Sequence, residues 1–341
     1  MSGGISQLVA IGAQDAHLVG SPQVSFYKAS YKRHTNFTHV IDRQVIQGNP
    51  TNNGMSTVRL ERKGDLLSYV YFVRKNGTTV EAFDSTDIAK VELLIGGQVI
   101  DDQDYTFSTL LAQHLLTSTD NKARIVPSTF YPLHFFFCEN WQSALPLAAL
   151  QYHDVEFRIT WGSGASGRNY ECWCDFVYLD NDERSAVVNS PVDMLVYQVQ
   201  KAIKSNGKMQ ELNFNHPVKF LAASANLVTS HTVSTIQFQI NGVDVSERKT
   251  YTPHFNKAPF YFHCPYNTQP LSNDTNGTAF LYPFCLDTNR LQPTGSLNFS
   301  RLDSARLVTD DSAGFNQADI YGVNHNILRI QNGMGGLLYA N

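Results

Sequence analysis

Gly162-Ser163-Gly164-Ala165-Ser166-Gly167 satisfies the glycine spacing of a dinucleotide-binding turn, and a strand-like run precedes it. That spacing holds a pyrophosphate only when a helix follows, because the ligand sits on the free N–H groups of the helix start. The sequel here, Asn169-Tyr170-Glu171-Cys172-Trp173-Cys174-Asp175-Phe176-Val177, alternates like a strand. The glycines therefore read as a flexible hairpin loop. Cys172 and Cys174 would project from one face of that strand, and Cys138 or a histidine could join them around zinc. A structural zinc site needs four ligands, and no second Cys-x-x-Cys or spaced His pair supplies them. The three read as buried free thiols.

Other reaction signatures are missing. His-x-His, Gly-x-Ser-x-Gly, His-Glu-x-x-His and the P-loop pattern do not occur, although the chain has 11 histidines. Single histidines such as His134, His216 and His263 read as core or interface residues. The sequence offers no catalytic, cofactor-binding or metal-ligating constellation, so neither an enzyme nor a cofactor is expected.

Charge points the same way. A net charge of −4 gives no electrostatic grip on nucleic acid, and no sequence-specific nucleic-acid partner is expected. Lys32-Arg33-His34 and Arg59 to Lys63 are short basic clusters of the kind that form solvated faces. Five cysteines in 341 residues make no disulfide scaffold, which favours a reducing compartment. The start lacks a basic n-region, and no apolar stretch is long enough to span a bilayer, so a soluble product made in the cytosol is expected. Glycosylation sequons begin at Asn36, Asn76, Asn273, Asn276 and Asn298; Asn, Ser and Thr are common in turns, and the sequons read as chance.

What would position any site is mostly strand. Charged residues make up 16% against about 25% in an average soluble protein, and aromatics reach 12%, a balance that favours β structure. Gly96-Gly97 and Asn241-Gly242 each divide two apolar runs, as two-residue hairpin turns with positive φ require. Alternation in the second run puts Ile236, Phe238 and Ile240 on a buried face and the glutamines toward solvent or a neighbour. Helical spacing is confined to residues 4–13 and about 104–116.

The two hairpin turns lie 145 residues apart (241 − 96). Phe137-Cys138 and Phe284-Cys285 lie 147 apart (285 − 138), and the last apolar strands, near Val177 and Leu328, 151 (328 − 177). Near-equal offsets in one order predict two copies of a single β module. A polar stretch from Asn181 to Pro191 marks their boundary. About eight short strands per half suit a jelly roll, a sandwich of two sheets. The expected organisation is an arm (1–25), a first sandwich (26–185) and a second (186–341).

Specific segments then carry a resemblance. Gln7 to Asp15, Gly20-Ser21-Pro22-Gln23-Val24-Ser25-Phe26-Tyr27-Lys28 and Tyr31-Lys32-Arg33-His34-Thr35-Asn36-Phe37 closely resemble the opening of major capsid proteins of nucleocytoplasmic large DNA viruses. Gln292-Pro293-Thr294-Gly295 to Asn298-Phe299-Ser300-Arg301, Tyr321 to Ile330 and Gly333 to Leu337 resemble the end of that family. Leu179 to Arg184 resembles its junction between halves.

The resemblance implies an all-β double jelly roll: two tandem eight-stranded sandwiches with a few short helices. It implies a homotrimer forming a pseudo-hexagonal capsomer of an icosahedral virion, assembled in the host cytoplasm. Its expected partners are neighbouring capsomers and minor capsid proteins, with an inner-membrane contact open to the N-terminal arm. The chain is shorter than many members, so trimmed outward loops are expected. A minor or vertex-associated capsid jelly roll, or a glycan-binding attachment sandwich, are the competing readings. Phe135-Phe136-Phe137 and Phe260-Tyr261-Phe262 belong to an aromatic surplus available to interfaces.

Overall fold

The computed structural model describes residues 12–26, 29, 31–116, 129–264 and 279–340. Residues Met1–Asn36 form one compact unit and Phe37–Asn341 another. In the first unit, a tight turn at Ala13–Asp15 leads into the short helix Ala16–Val19. The Asp15 carboxylate accepts the Gly12 N–H at 2.7 Å, satisfying one of the donors a helix start leaves open. Residues 4–11 of the helix expected at 4–13 lie outside the described residues.

In the second unit, ten strands make a first sandwich. They are β1 (Phe37–Gln44), β2 (Met55–Arg59), β3 (Leu66–Asn76), β4 (Thr79–Glu81), β5 (Ile88–Ile95), β6 (Gln98–Asp104), β7 (Tyr131–Pro132), β8 (Leu145–Pro146), β9 (Val155–Trp161) and β10 (Asn169–Leu179). One sheet runs β1-β10-β3-β4, with β7 and β8 also on β3; the facing sheet runs β2-β9-β5-β6. In β9, Val155, Phe157, Ile159 and Trp161 are buried and the residues between them are not, so strict alternation turns one face inward.

Eleven strands make the second. They are β11 (Val192–Ala202), β12 (Met209–Glu211), β13 (Pro217–Ala223), β14 (Thr235–Ile240), β15 (Val243–Asp244), β16 (Lys249–Thr250), β17 (Phe280–Pro283), β18 (Leu297–Asn298), β19 (Ala305–Thr309), β20 (Ile320–Gln331) and β21 (Met334–Leu337). Its sheets run β11-β20-β13-β17, with β18 on β13 and β21 on β20, and β12-β19-β14-β15, with β16 on β14. In chain order, β11, β20, β13, β17 and β18 repeat β1, β10, β3, β7 and β8, and β12, β19, β14 and β15 repeat β2, β9, β5 and β6; β4, β16 and β21 are additions particular to one copy.

The registers repeat as well. Leu66 faces Pro146 in the first sandwich and Pro217 faces Asn298 in the second, offsets of 151 (217 − 66) and 152 (298 − 146). The Gly96-Gly97 and Asn241-Gly242 turns join β5 to β6 and β14 to β15, with φ of +58°, +81°, +51° and +77°. The duplication expected from three sequence offsets is present as two jelly rolls.

Several expectations needed correction. The loop after Trp161 is no hairpin, because β9 and β10 belong to facing sheets and the loop crosses between them. The helix expected at 104–116 is present, but Phe107–Ala112 is wound as a π-helix before Gln113–Leu115 returns to α. Gln237 is buried rather than exposed, its amide donating to the Ser246 carbonyl at 3.0 Å. The polar junction forms a helix, Asn181–Asn189, capped by Asp180, whose carboxylate accepts the Asn181 N–H at 2.8 Å. Asp180 followed three residues later by Glu183 is a helix-start spacing that would have revealed it.

Candidate assembly surfaces

The residues first suspected of chemistry are structural. The glycines of 162–167 permit close approach: a side chain on Gly162 would meet the Thr86 carbonyl at 2.1 Å, and one on Gly164 the Thr86 hydroxyl at 2.4 Å. Gly162 and Gly164 donate to the carbonyls of Asp87 and Thr86, each at 2.9 Å. Behind this loop, fully buried Asp87 takes an ion pair from Arg74 at 3.1 Å, a second from Arg168, and the Tyr170 hydroxyl at 2.5 Å. The glycines serve a buried charge cluster between two sheets, not a nucleotide.

Cys172 and Cys174 are fully buried, and burial pushes the thiols of Cys174 and Cys138 well up, away from the reactive thiolate. Among the described residues, no group of three or more His, Cys, Asp or Glu is arranged to hold a metal. His134 is buried with Nδ1 2.6 Å from Glu139, and His263 lies 2.9 Å from the Cys285 carbonyl. His216 sits at φ +64°, its N–H donating to the Ser300 hydroxyl. In the basic cluster, Arg62 pairs with Asp154 at 3.3 Å and Lys63 with Asp42 at 2.5 Å. Sequons at Asn273 and Asn276 lie outside the described residues; the Asn298 side chain accepts the Ser300 N–H at 3.1 Å.

Aromatic residues divide in two. Phe135, Phe136 and Phe137 are core. Tyr261 and Phe262, on the helix Ala258–His263, are 79% and 70% exposed, with rings stacked edge to face at 5.0 Å.

The seam between the sandwiches is fully formed within the chain. Helix residues Phe107, Leu111 and Leu115 lie on the outer face of the β11-β20-β13 sheet, against Val199, Phe220, Ala222, Tyr321 and Val323. Each large side chain so buried contributes roughly 1.5–3 kcal/mol. Polar bonds fix the register: Val199 N–H donates to Asp101 at 2.8 Å, and Tyr197 hydroxyl to the His134 carbonyl at 3.0 Å. Burial raises the Asp101 carboxyl well above its usual range. Lys201 reaches Asp104 at 2.9 Å and Asp319 at 2.8 Å. The C-terminal hairpin grips the first sandwich again, with His153 Nδ1 2.9 Å from the Gly335 carbonyl and Tyr152 N–H donating to Gly333 at 2.9 Å. Val196, Leu328 and Ile330 complete the first core. One polypeptide thus presents two similar blocks locked side by side.

Comparison with known proteins decides what such a double block is for. The family described as "Major capsid protein N-terminus" matches residues 25–180, and "Large eukaryotic DNA virus major capsid protein" matches 183–336. The major capsid protein of Pyramimonas orientalis virus is 32% identical, with both chains covered completely. This chain belongs to the major capsid proteins of large eukaryotic DNA viruses.

The major capsid protein of Paramecium bursaria Chlorella virus 1 is 31% identical, again with both chains fully covered. A chain of the PBCV-1 virus capsid superposes with a TM-score of 0.75 at 26% identity, covering 93% of this chain and 100% of that one. The faustovirus major capsid protein shares the fold at 11% identity, with a TM-score of 0.65 and 94% of each chain covered. The alignment with the Pyramimonas virus protein spans 399 positions, so that relative carries at least 58 (399 − 341) that this capsid protein lacks.

Proposed function

We propose that this capsid protein builds the shell as a homotrimer, a pseudo-hexagonal capsomer in an icosahedral lattice. The observation that carries this reading is one strand order written twice and locked across a buried seam. Three such chains supply six similar blocks around an axis, and a six-sided tile packs edge to edge. Obligate interfaces of that kind bury on the order of 2,000–5,000 Å². Its role is structural rather than enzymatic, as its capsid homologues support.

The division into an arm (1–25), a first jelly roll (26–185) and a second (186–341) belongs to this proposal. So do assembly in the host cytoplasm, contacts with minor capsid proteins, and an inner-membrane or neighbour contact for the arm. Native mass measurement should give about three times 38.2 kDa, and images should show hexagonal-based particles. A stable monomer at micromolar concentration would overturn the trimer. Deleting residues 1–20 should leave trimers intact and impair particle assembly; normal shells from that deletion would remove the arm's role.

A further inference from the structure

Among the described residues, the seam within the chain has a counterpart that is left half-exposed. Tyr321 of β20 stands between Lys201 of β11 and Ala222 of β13. Trp173 of β10 stands between Arg43 of β1 and Tyr71 of β3 in the same way. In the second sandwich this outer face is covered by the helix between β6 and β7, and Phe220, Ala222, Tyr321 and Val323 are at most 2% exposed. In the first sandwich Tyr69, Tyr71 and Trp173 remain half-exposed, with Ile41 43% exposed beside them.

The covering element also has a counterpart. The helix Ala258–His263 follows β16 and precedes β17, as the covering helix follows β6 and precedes β7. It leaves Tyr261 and Phe262 in solvent, where two stacked aromatic rings are costly to keep. Among the described residues there is therefore one filled seam, one half-exposed sheet face, and one helix that packs Phe260 inward while holding Tyr261 and Phe262 in solvent.

We propose that the helix Ala258–His263 of one copy docks on the Tyr69-Tyr71-Trp173 face of a second copy, repeating the internal seam between chains. The contact is heterologous, so it closes only as a ring. With two blocks per chain and one kind of seam throughout, a six-block ring closes at three copies. This inference rests on the trimer proposed above and assigns its contact.

The test uses the full chain. Native mass of the unaltered protein comes first, and a monomer there removes the trimer reading and this contact with it. If it is trimeric, Tyr261→Asp and Phe262→Asp should each raise the trimer's dissociation constant roughly 30-fold or more, as loss of a buried aromatic anchor does. Both substitutions lie on an exposed surface, so unfolding midpoints of the dissociated chain should not move. In parallel, benzoylphenylalanine placed at position 261 should crosslink, on illumination, to peptides containing Tyr69, Tyr71 or Trp173 of another copy. Unchanged trimers in both variants, or crosslinks confined to other surfaces, overturn this contact and leave the trimer standing.

Discussion

The hydroxyl of Tyr321, in the second sandwich, donates to Asp104 of the first at 2.7 Å. The same carboxylate takes Lys201 at 2.9 Å, and the Tyr321 ring packs on Phe107 at 5.7 Å between centroids. One side chain thus joins the apolar and polar parts of the seam.

Tyr321→Phe keeps the ring and removes the donor. It should cost about 1.5–3 kcal/mol, the usual range for a lost hydrogen bond to a charged group. Tyr321→Ala also leaves a cavity and should cost about 3–5 kcal/mol. Thermal unfolding reads both, and the alanine variant should split one transition into two as the sandwiches uncouple. A single unshifted transition for Tyr321→Ala would show that the seam does not depend on this residue.

Arg74, Arg168 and Tyr170 share Asp87 as an acceptor. Asp87→Ala leaves Arg74, only 14% exposed, with Glu81 at 2.7 Å and the Ala82 carbonyl at 2.9 Å as its remaining partners. Breaking a buried pair on one side costs about 3–5 kcal/mol. Amide exchange should quicken at Gly162 and Gly164 above the rest of the sheet, because the neighbouring backbone carries their acceptors. Uniform exchange across the sandwich would mean that the cluster does not hold the loop.

His325 lies on β20, and its Nε2 has no hydrogen-bond partner among the described residues. Burial, with the Lys219 ammonium nearby, pushes its pKa down to about 4. The folded state therefore prefers the neutral ring. Stability is complete above the unfolded value near 6.5 and falls as pH drops from there to about 4. One shift of this size is worth up to roughly 3 kcal/mol. His325→Gln should flatten the stability–pH curve in that window. An unchanged acid limb would place the sensitivity elsewhere.

Much of this was legible in the chain itself. Alternation marked Ile236 and Phe238 of β14 as buried, and Gly-Gly and Asn-Gly marked two turns whose φ values only such residues adopt readily. Equal spacing between like features disclosed the duplication before any contact was known. These signals are local, or repeat at a fixed offset, so a linear reading finds them.

Partnership between distant residues was not legible. Nothing in the order of residues says that Asp104 meets Lys201 and Tyr321, or that the glycines of 162–167 make room for Thr86. Both depend on which sheet each strand joins, and an isolated strand fits either sheet equally well. Composition likewise could not divide the aromatics, since Phe136 and Phe262 are the same residue in similar runs. The sequence alone determined that one β module is written twice. Only folding decided which copy of the sheet face is covered, because burial is settled by what packs against a surface in three dimensions.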